Sequence, residues 1–255
     1  MLPTYRTRTD VFNYDEIPAG YYFEVMRSGS PVQRFWHRRK FEFVAKAIKD
    51  GERVLDLGCG PGSFLQVLGE ARPGCSAVGV DIASPQIEFA RQNVAPAFPD
   101  GRVSFRVVEP APAPLPFEDG SFDVVTCIEV IEHIHPYLAY RMLAEARRVL
   151  KPSGRLYVTT PNYRSLWPLI ELGLEYLSPV KYHEQHINRF TPNALVKFLE
   201  CAGFEVGVLR TFFGLAPFLA GVSWGLASTV DRLERRFPFK TGSLMLAEVP
   251  KAPLL

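Results

Sequence analysis

A glycine-rich turn directly follows a short apolar segment of the sequence. The run Arg53 to Leu57 predicts a buried strand, and the pattern D-x-G-x-G-x-G begins at Asp56 and ends at Gly62. Glycines let a backbone turn tightly and approach a ligand, because no Cβ stands in the way. Ligands of open parallel sheets bind at the carboxyl ends of the strands. The pattern therefore predicts a ligand-binding turn, although Ser63 occupies the third glycine position of the dinucleotide fingerprint, which fits poorly.

A second carboxylate ends the next apolar segment. Ala77 to Val80 predicts another buried strand, and Asp81 follows it, 25 positions after Asp56. A carboxylate in this place can accept hydrogen bonds from both hydroxyls of a ribose, as it does in folds that bind dinucleotides. The alternative is that Asp81 only caps the following helix, a role that Ser84 can also fill. An adenosine-containing ligand is the first interpretation.

Three further segments carry a resemblance to a known family. The stretch Leu115 to Val125, which reads LPFEDGSFDVV, resembles the LPF…FD pattern of class I S-adenosylmethionine-dependent methyltransferases, in the group that includes the ubiquinone-biosynthesis enzymes. Cys127 to His133 resembles the EVLEH segment of that group, and His183 to Thr191 resembles its EHINxFT segment. The glycine turn resembles motif I of the same family. The resemblance covers about Arg53 to Phe204.

The resemblance implies S-adenosyl-L-methionine as the cofactor and S-adenosyl-L-homocysteine as its product. The glycine turn is then expected beside the amino-acid part of the cofactor. Glu109 stands six positions before Leu115 with three prolines between them, which departs from the family's adenine contact, and the backbone near Ala111 can serve instead. The cofactor-binding residues implied are Asp56, Gly58, Cys59, Gly60, Asp81, Ile82, Glu109, Ala111, Cys127 and Ile128.

Two histidines are the candidates for a catalytic base. The resemblance places His133 near the transferred methyl group, and His186 rivals it from the later segment. Histidine can accept a proton near neutral pH. Methyl transfer also proceeds by alignment of the reactants alone, so a structural role stays open for both. Because the metal-binding spacing HExxH is absent, we predict no metal.

The expected acceptor is a small molecule, apolar or ring-bearing, methylated most readily at oxygen. No Asn/Asp-Pro-Pro-aromatic motif follows the fourth predicted strand, and no Pro-Cys nucleophile is present. A catalytically silent binding domain and an NAD(P)-dependent oxidoreductase are the alternatives. The aromatic and histidine residues outside the core motifs would line the acceptor pocket, although they could equally be core: Tyr21, Tyr22, Trp36, His37, Trp167, His183, Phe218 and Trp224.

The motifs lie on a regular alternation of strands and helices. Five further strands are predicted by the runs Val103 to Val108, Phe122 to Ile128, Gly154 to Thr160, Phe204 to Phe212 and Leu244 to Val249. Helices are expected between the strands, one of them capped by Thr191 with Pro192 at its first position. Met1 to Pro31 is interpreted as a loop or short helices. This rhythm predicts an α/β, Rossmann-like, doubly wound sheet, and the resemblance implies seven strands, mostly parallel, with an antiparallel last strand. We predict one domain: an N-terminal cap and first helix over 1–50, a cofactor-binding core over 51–162, and acceptor-pocket insertions with the last strands over 163–255.

A long uncharged stretch precedes the last predicted strand. Thr211 to Val230 has no charged residue, and an apolar stripe from Leu219 to Phe237 follows helical spacing. We interpret it as one amphipathic helix that packs over the pocket. Contact with a membrane surface or a lipid-like acceptor is the second interpretation, and a membrane span is the third.

Charge and cysteine content restrict the partners. The formal net charge is +2, from 29 basic and 27 acidic residues. This balance speaks against a nucleic-acid partner, and the runs Arg38 to Lys40 and Arg232 to Arg236 are interpreted as solvated helix faces. The four cysteines form no CxxC pair, so the cytoplasm, with peripheral membrane contact as an option, is the expected location. The sequence does not indicate an oligomeric state.

Overall fold

Seven strands form one sheet in the computed structural model, which describes residues 17–177, 185–236 and 241–251. Their order across the sheet is β3-β2-β1-β4-β5-β7-β6. All neighbouring pairs are parallel except those of β7, which runs antiparallel to β5 and β6. The predicted Rossmann-like sheet with an antiparallel last strand is therefore confirmed. The strands are β1 (Arg53–Leu57), β2 (Ser76–Asp81), β3 (Val103–Val107), β4 (Phe122–Ile128), β5 (Leu150–Pro161), β6 (Val208–Phe212) and β7 (Leu244–Pro250).

Helices cover both faces of the sheet. One apolar cluster joins Phe35, Leu65 and Ile87 of three helices to one face, and a second joins Leu143 and Leu195 to the other. Right-handed crossovers between parallel strands produce this two-sided arrangement. The helices are α1 (Tyr21–Ser28), α2 (Pro31–Ala47), α3 (Ser63–Ala71), α4 (Ser84–Asn93), α5 (Pro136–Val149), α6 (Trp167–Leu177), α7 (Pro192–Cys201), α8 (Ala216–Leu219) and α9 (Trp224–Arg236).

Local signals mark the helix starts. Ser30 and Gln33 form a reciprocal capping box at the start of α2, with Pro31 at its first position. Thr191 caps α7 by accepting a hydrogen bond from the Ala194 backbone N–H, again with proline at the first position, as predicted. The N-terminal segment, interpreted as a loop or short helices, contains the helix α1 within its described part.

Two strand boundaries differ from the predictions. β5 begins at Leu150 rather than Gly154, because the ladder continues through the polar segment, with Phe122 opposite Leu150 and Val124 opposite Arg155. The intervening residues 151–154 bulge from the ladder instead of ending it. β6 begins at Val208 rather than Phe204, because only the later part pairs with β7.

The prediction of one long helix over the uncharged stretch is wrong. Thr211 and Phe212 belong to β6, and the rest forms the short helix α8 and the longer α9. The carboxylate of Glu234 accepts hydrogen bonds from the backbone N–H groups of residues 214–216, which lie just before and at the start of α8. This long-range contact stabilises the separation of α8 from α9. Phe237, the last residue of the predicted apolar stripe, lies outside the described residues. Among the helices of the described ranges, none is long and apolar enough to cross a bilayer.

Candidate functional site

A cavity of about 710 Å³ lies at the carboxyl ends of β1, β2 and β4. It extends from Glu109 and Ala111 at one end, past the glycine turn, to Trp36, Trp167 and Phe218 at the other. This is where ligands of open α/β sheets bind. Nine of the ten predicted cofactor residues line it: Asp56, Gly58, Cys59, Gly60, Asp81, Ile82, Glu109, Ala111 and Ile128.

The tenth predicted cofactor residue, Cys127, does not line the cavity. It is fully buried on β4 and packs with Leu55 and Leu57 in the apolar cluster on the face that α5 and α7 cover. Alternate side chains of a strand point to opposite faces of the sheet. The prediction concerned the backbone around Cys127 and Ile128 and stays a prediction for Cys127. Ile128, the next residue, lines the cavity, and the side chain of Cys127 does not.

The glycine turn has a left-handed backbone at Gly58 (φ 69°), Gly60 (φ 51°) and Gly62 (φ 81°). A Cβ on Gly58 would lie 2.6 Å from Cγ2 of Val130, so a larger residue there would clash. A Cβ on Gly60 would meet no described atom within 4 Å, because this glycine faces open space. The turn thus offers a ligand direct access to its backbone.

Asp56 is a buried carboxylate beneath this turn. Its Oδ1 accepts a hydrogen bond of 2.7 Å from the Thr126 hydroxyl. Burial, together with the charge of Asp81, raises the pKa of Asp56 to about 7. A cationic ligand group beside it would favour its ionised form, and this fits the ammonium group of the implied cofactor.

Asp81 shapes the same turn from the end of β2. Its carboxylate accepts hydrogen bonds from the backbone N–H groups of Gly60 (2.8 Å) and Ala83 (2.9 Å), and burial raises its pKa. The cap position of α4 is Ala83, without a side-chain cap, so Ser84 does not take that role. Asp81 lines the cavity and keeps lone pairs for ribose hydroxyls. The predicted cofactor fits these residues.

The other end of the cavity brings the two candidate histidines together. The rings of His133 and His186 have their centroids 4.8 Å apart. His133 lines the cavity, and His186 lies buried behind it. Nδ1 of His186 is 2.6 Å from the Glu171 carboxylate, which also accepts a hydrogen bond of 2.8 Å from the Tyr163 hydroxyl. Glu171 and Tyr163 were not predicted from the sequence, because neither belongs to a family motif.

His133 is held as a neutral imidazole. Its Nδ1 lies 3.1 Å from the backbone carbonyl of Gln185, which fits a tautomer with the proton on Nδ1 and Nε2 as an acceptor. Burial, the neighbouring His186 and Lys40 lower the pKa of His133 to about 3. A neutral histidine with such a low pKa can orient a hydroxyl group, but it is a weak base.

A buried charged group completes this end of the cavity. Lys40 is only 3% exposed, and its Nζ lies 2.5 Å from the Glu129 carboxylate. Glu132 is fully buried, and burial with the neighbouring Glu129 raises its pKa well above the ordinary value. The prediction that the run Arg38 to Lys40 forms a solvated helix face is therefore wrong for Lys40. Its helical spacing from Trp36 and Val44 was the signal that could have placed it inside.

Three of these side chains also come within range of a common ion. Ligand atoms of Glu132, His133 and His186 lie within 4.8 Å of one another. Histidine nitrogens and a carboxylate are a donor set that divalent transition metals accept. The absence of a metal, predicted from the missing HExxH spacing, stays a prediction.

The predicted acceptor residues divide into two groups. Tyr22, Trp36, His37, Trp167 and Phe218 line the cavity. Tyr21 and Trp224 do not, and this corrects their assignment.

The two misplaced aromatic residues pack elsewhere. Tyr21 contacts the Tyr22 ring edge-on, and Trp224 packs on Phe35 with a centroid distance of 5.0 Å. Trp224 begins α9, and the break before this helix turns its ring toward α2 instead of the cavity. His183 lies outside the described residues.

Known proteins are similar to this chain in sequence and in fold. The family model described as a methyltransferase domain matches residues 30–207. A demethylmenaquinone methyltransferase of Thermus thermophilus is 30% identical over 203 residues, 73% of this chain and 88% of that protein. A ubiquinone biosynthesis O-methyltransferase of Xanthomonas campestris is 31% identical over 173 residues, 66% of this chain and 69% of that protein.

Two further matches differ in what they cover. A 37.1 kDa protein of transposon TN4556 from Streptomyces fradiae is 36% identical over 132 residues, half of this chain and 36% of that protein. A chain from the complex of the Haloferax volcanii Trm112 methyltransferase activator with a methyltransferase has a TM-score of 0.65 at 21% identity, covering 96% of this chain and 99% of that one. This last likeness concerns the fold alone.

Proposed function

This chain belongs to the methyltransferase domain family and is an S-adenosylmethionine-dependent methyltransferase, and we propose that it methylates a hydroxyl oxygen of a small apolar or ring-bearing acceptor. One observation carries the proposal. A single cavity joins the glycine turn and its two carboxylates to a chamber lined by Trp36, Trp167 and Phe218. Cofactor and acceptor can therefore meet within one cavity.

The cofactor half of the cavity is assigned by chemistry. S-adenosylmethionine, when bound, supplies a methyl group activated by its sulfonium. Asp56 would hold the cofactor's ammonium, the Gly58–Gly60 turn its amino-acid part, and Asp81 its ribose hydroxyls. The adenine would lie along the segment of Glu109 and Ala111, where the exposed Glu109 borders the cavity.

The acceptor half supports an apolar ring. Trp36 packs on Trp167 at a centroid distance of 5.5 Å and on Phe213 at 4.8 Å, so the aromatic wall is rigid. Such walls bind rings with a few placed polar groups. One relative is by name an O-methyltransferase, which supports oxygen as the methylated atom. In this chain His133 would orient the hydroxyl group, with His186 and Glu171 fixing the His133 ring from behind.

The protein is proposed to work in the cytoplasm at a lipid surface. Large apolar side chains are exposed near the acceptor end of the cavity, where Ile170 of α6 and Phe218 of α8 line it. Apolar side chains exposed on one side favour contact with lipid or a lipid-like acceptor. In this protein, such exposed apolar side chains are Leu166, Leu169 and Leu172 on α6 and the preceding turn, and Leu215, Val222 and Leu226 near or on α8 and α9.

A methyl-transfer screen tests the function. Labelled S-adenosylmethionine is offered with phenols, quinols, lipids and sugars, and we expect label in phenolic or quinol products and none in sugars. Asp81→Ala serves as the control that should lose transfer through weakened cofactor binding. Label only in amine products, or none in any hydroxyl compound while cofactor binding is intact, would contradict the proposal.

A further inference from the structure

Lys40 places an ammonium group inside the acceptor half of the cavity. It lies on α2 between the cavity-lining His37 and Phe41, and its Nζ is 5.0 Å from the centroid of the Phe41 ring. Lysine is rarely buried without a paired charge. Here the pair is with Glu129, 2.5 Å away.

Glu129 is itself held in an unusual backbone conformation. It follows β4 with φ 55°, a left-handed value that costs free energy for any residue except glycine. Its backbone N–H donates to the carbonyl of Thr159, and one side-chain oxygen, Oε1, has no hydrogen-bond partner within the described residues. The strained turn and the ion pair together fix the ammonium at the cavity wall.

The groups that face Lys40 do not neutralise it further. His37 stands on its own helix, and burial and the Lys40 charge lower the pKa of His37 well below its ordinary value. On the turn after β4, Glu132 favours its protonated form through burial, and His133 favours its neutral form. An ammonium has three N–H donors, and Glu129 accepts from one of them in the described structure.

The neighbouring histidine does not explain how an acceptor hydroxyl becomes a good nucleophile. A phenolic hydroxyl has an ordinary pKa of about 10. Nδ1 of His133 lies 3.1 Å from the Gln185 carbonyl, so the proton on this nitrogen is used there and cannot also stabilise a phenolate. A fixed positive charge in a site of low dielectric constant can instead stabilise the oxyanion directly.

We propose that the Lys40 ammonium binds the acceptor as its oxyanion and thereby selects acceptors with an acidic hydroxyl, such as phenols or enols, over amines and aliphatic alcohols. The inference rests on the proposed function of the site. On binding, the hydroxyl releases its proton to bulk water. The oxygen electron pair then forms the new C–O bond as the C–S bond breaks, and the electrons of that bond stay on sulfur.

Binding of 4-nitrophenol tests this without methyl transfer, because its phenolate form is coloured. Titrated in the presence of S-adenosylhomocysteine, the wild-type protein should bind the phenolate in preference to the phenol and lower the apparent pKa of the bound probe. Lys40→Met should weaken phenolate binding by about 10- to 100-fold, the loss of a hydrogen bond to a charged group, and Lys40→Arg should retain most of it. Lys46→Met, at an exposed lysine of the same helix, should match wild type.

Two further arms keep the outcome decisive. Lys40→Met leaves the half-buried Glu129 without its partner. The neutral double variant K40M/E129Q, checked by thermal melting and S-adenosylhomocysteine binding, is therefore measured beside it. Equal phenolate binding by the wild type and the double variant, or no phenolate binding by the wild type, overturns the proposal. So does phenolate binding that requires added Mg²⁺, Mn²⁺ or Zn²⁺ and is abolished by a chelator. Phenolate preference with no labelled product from any hydroxyl acceptor would instead overturn the proposed function alone.

Discussion

The two carboxyl groups at the cofactor end of the cavity ionise less readily than carboxyl groups in water. Burial raises the pKa of both Asp56 and Asp81, and Asp81 also accepts a hydrogen bond from the Gly60 backbone N–H in the glycine turn. A raised carboxylate pKa means that the folded chain holds a proton which the unfolded chain has already lost. Stability therefore falls as the pH rises from the ordinary value of 3.8 to about 7 for Asp56, and then levels off.

We expect Asp56→Asn to separate stability from ligand binding. The amide keeps the shape of the carboxyl group without its charge, so the thermal midpoint of the ligand-free variant should exceed that of wild type above pH 7. S-adenosylhomocysteine should bind the variant at least tenfold more weakly, because the ammonium loses an ionised partner. Melting curves from pH 5 to 8.5 and calorimetry check both. A lower midpoint at pH 8 would show that the ionised carboxylate stabilises the fold.

Removal of the Asp81 carboxylate should mainly affect the cofactor. Asp81→Ala is expected to weaken S-adenosylhomocysteine binding by about 1.5–3 kcal/mol, the usual worth of hydrogen bonds to a charged acceptor. Asp100→Ala, at an exposed aspartate before β3, is the matched control and should bind normally. If calorimetry finds both variants equal to wild type, Asp81 only supports the Gly60 and Ala83 backbone.

At the scale of elements, the insertion between β6 and β7 is tied to α2. Asp231 on α9 is 1% exposed and pairs with Arg235 and, at 3.6 Å, with Arg39 of α2. Glu234 of the same helix holds the start of α8. The insertion is therefore anchored to α2 through Asp231 and held together internally through Glu234. Phe218 on α8 extends from this unit to the cavity.

This arrangement predicts different effects for two aromatic residues of the insertion. Phe218 lines the cavity and is 45% exposed, so Phe218→Asp should impair acceptor use while leaving melting and cofactor binding unchanged. Trp224 is also 40% exposed, but its ring packs on Phe35 and lies under Arg34, so Trp224→Asp should lower stability by about 1 kcal/mol. Thermal melting and turnover with a phenolic acceptor distinguish them. The reverse pattern would mean that α8 is a packing element and α9 borders the acceptor.

At the scale of the whole molecule, exposed apolar side chains lie on α6 and on the insertion between β6 and β7, and Ile170 and Phe218 of these two segments line the cavity. We expect the protein to sediment with liposomes. The double variant Leu169→Glu/Val222→Glu, at side chains that are 67% and 83% exposed, should abolish this sedimentation without changing the thermal midpoint or the turnover of a soluble acceptor. Val107→Glu, on the edge strand β3 at the opposite side of the sheet, is the control. Sedimentation of the double variant at the wild-type level would remove the support for a lipid surface.

Short-range patterns were enough to predict the cofactor half. Three of these patterns act through neighbours in the chain, so their conformation follows from local chemistry. They are the strand that runs into D-x-G-x-G-x-G, the aspartate after the next strand, and Thr191-Pro192 at a helix start. The family and S-adenosylmethionine were correctly predicted from the family resemblance that these motifs carry. Strand alternation also indicated the doubly wound sheet.

The acceptor half was decided by tertiary structure. Whether Lys40 meets water or Glu129 depends on a contact between residues 89 positions apart, and the dyad of His186 with Glu171 depends on how α6 folds back. The side chains of Cys127 and Ile128 point to opposite faces of the sheet, and a shift of one residue in the register of β4 would exchange them. The uncharged stretch breaks into α8 and α9 because Glu234 reaches back to the chain before α8. Long-range pairing of charges and backbone groups leaves no local pattern, so only the assembled fold shows it.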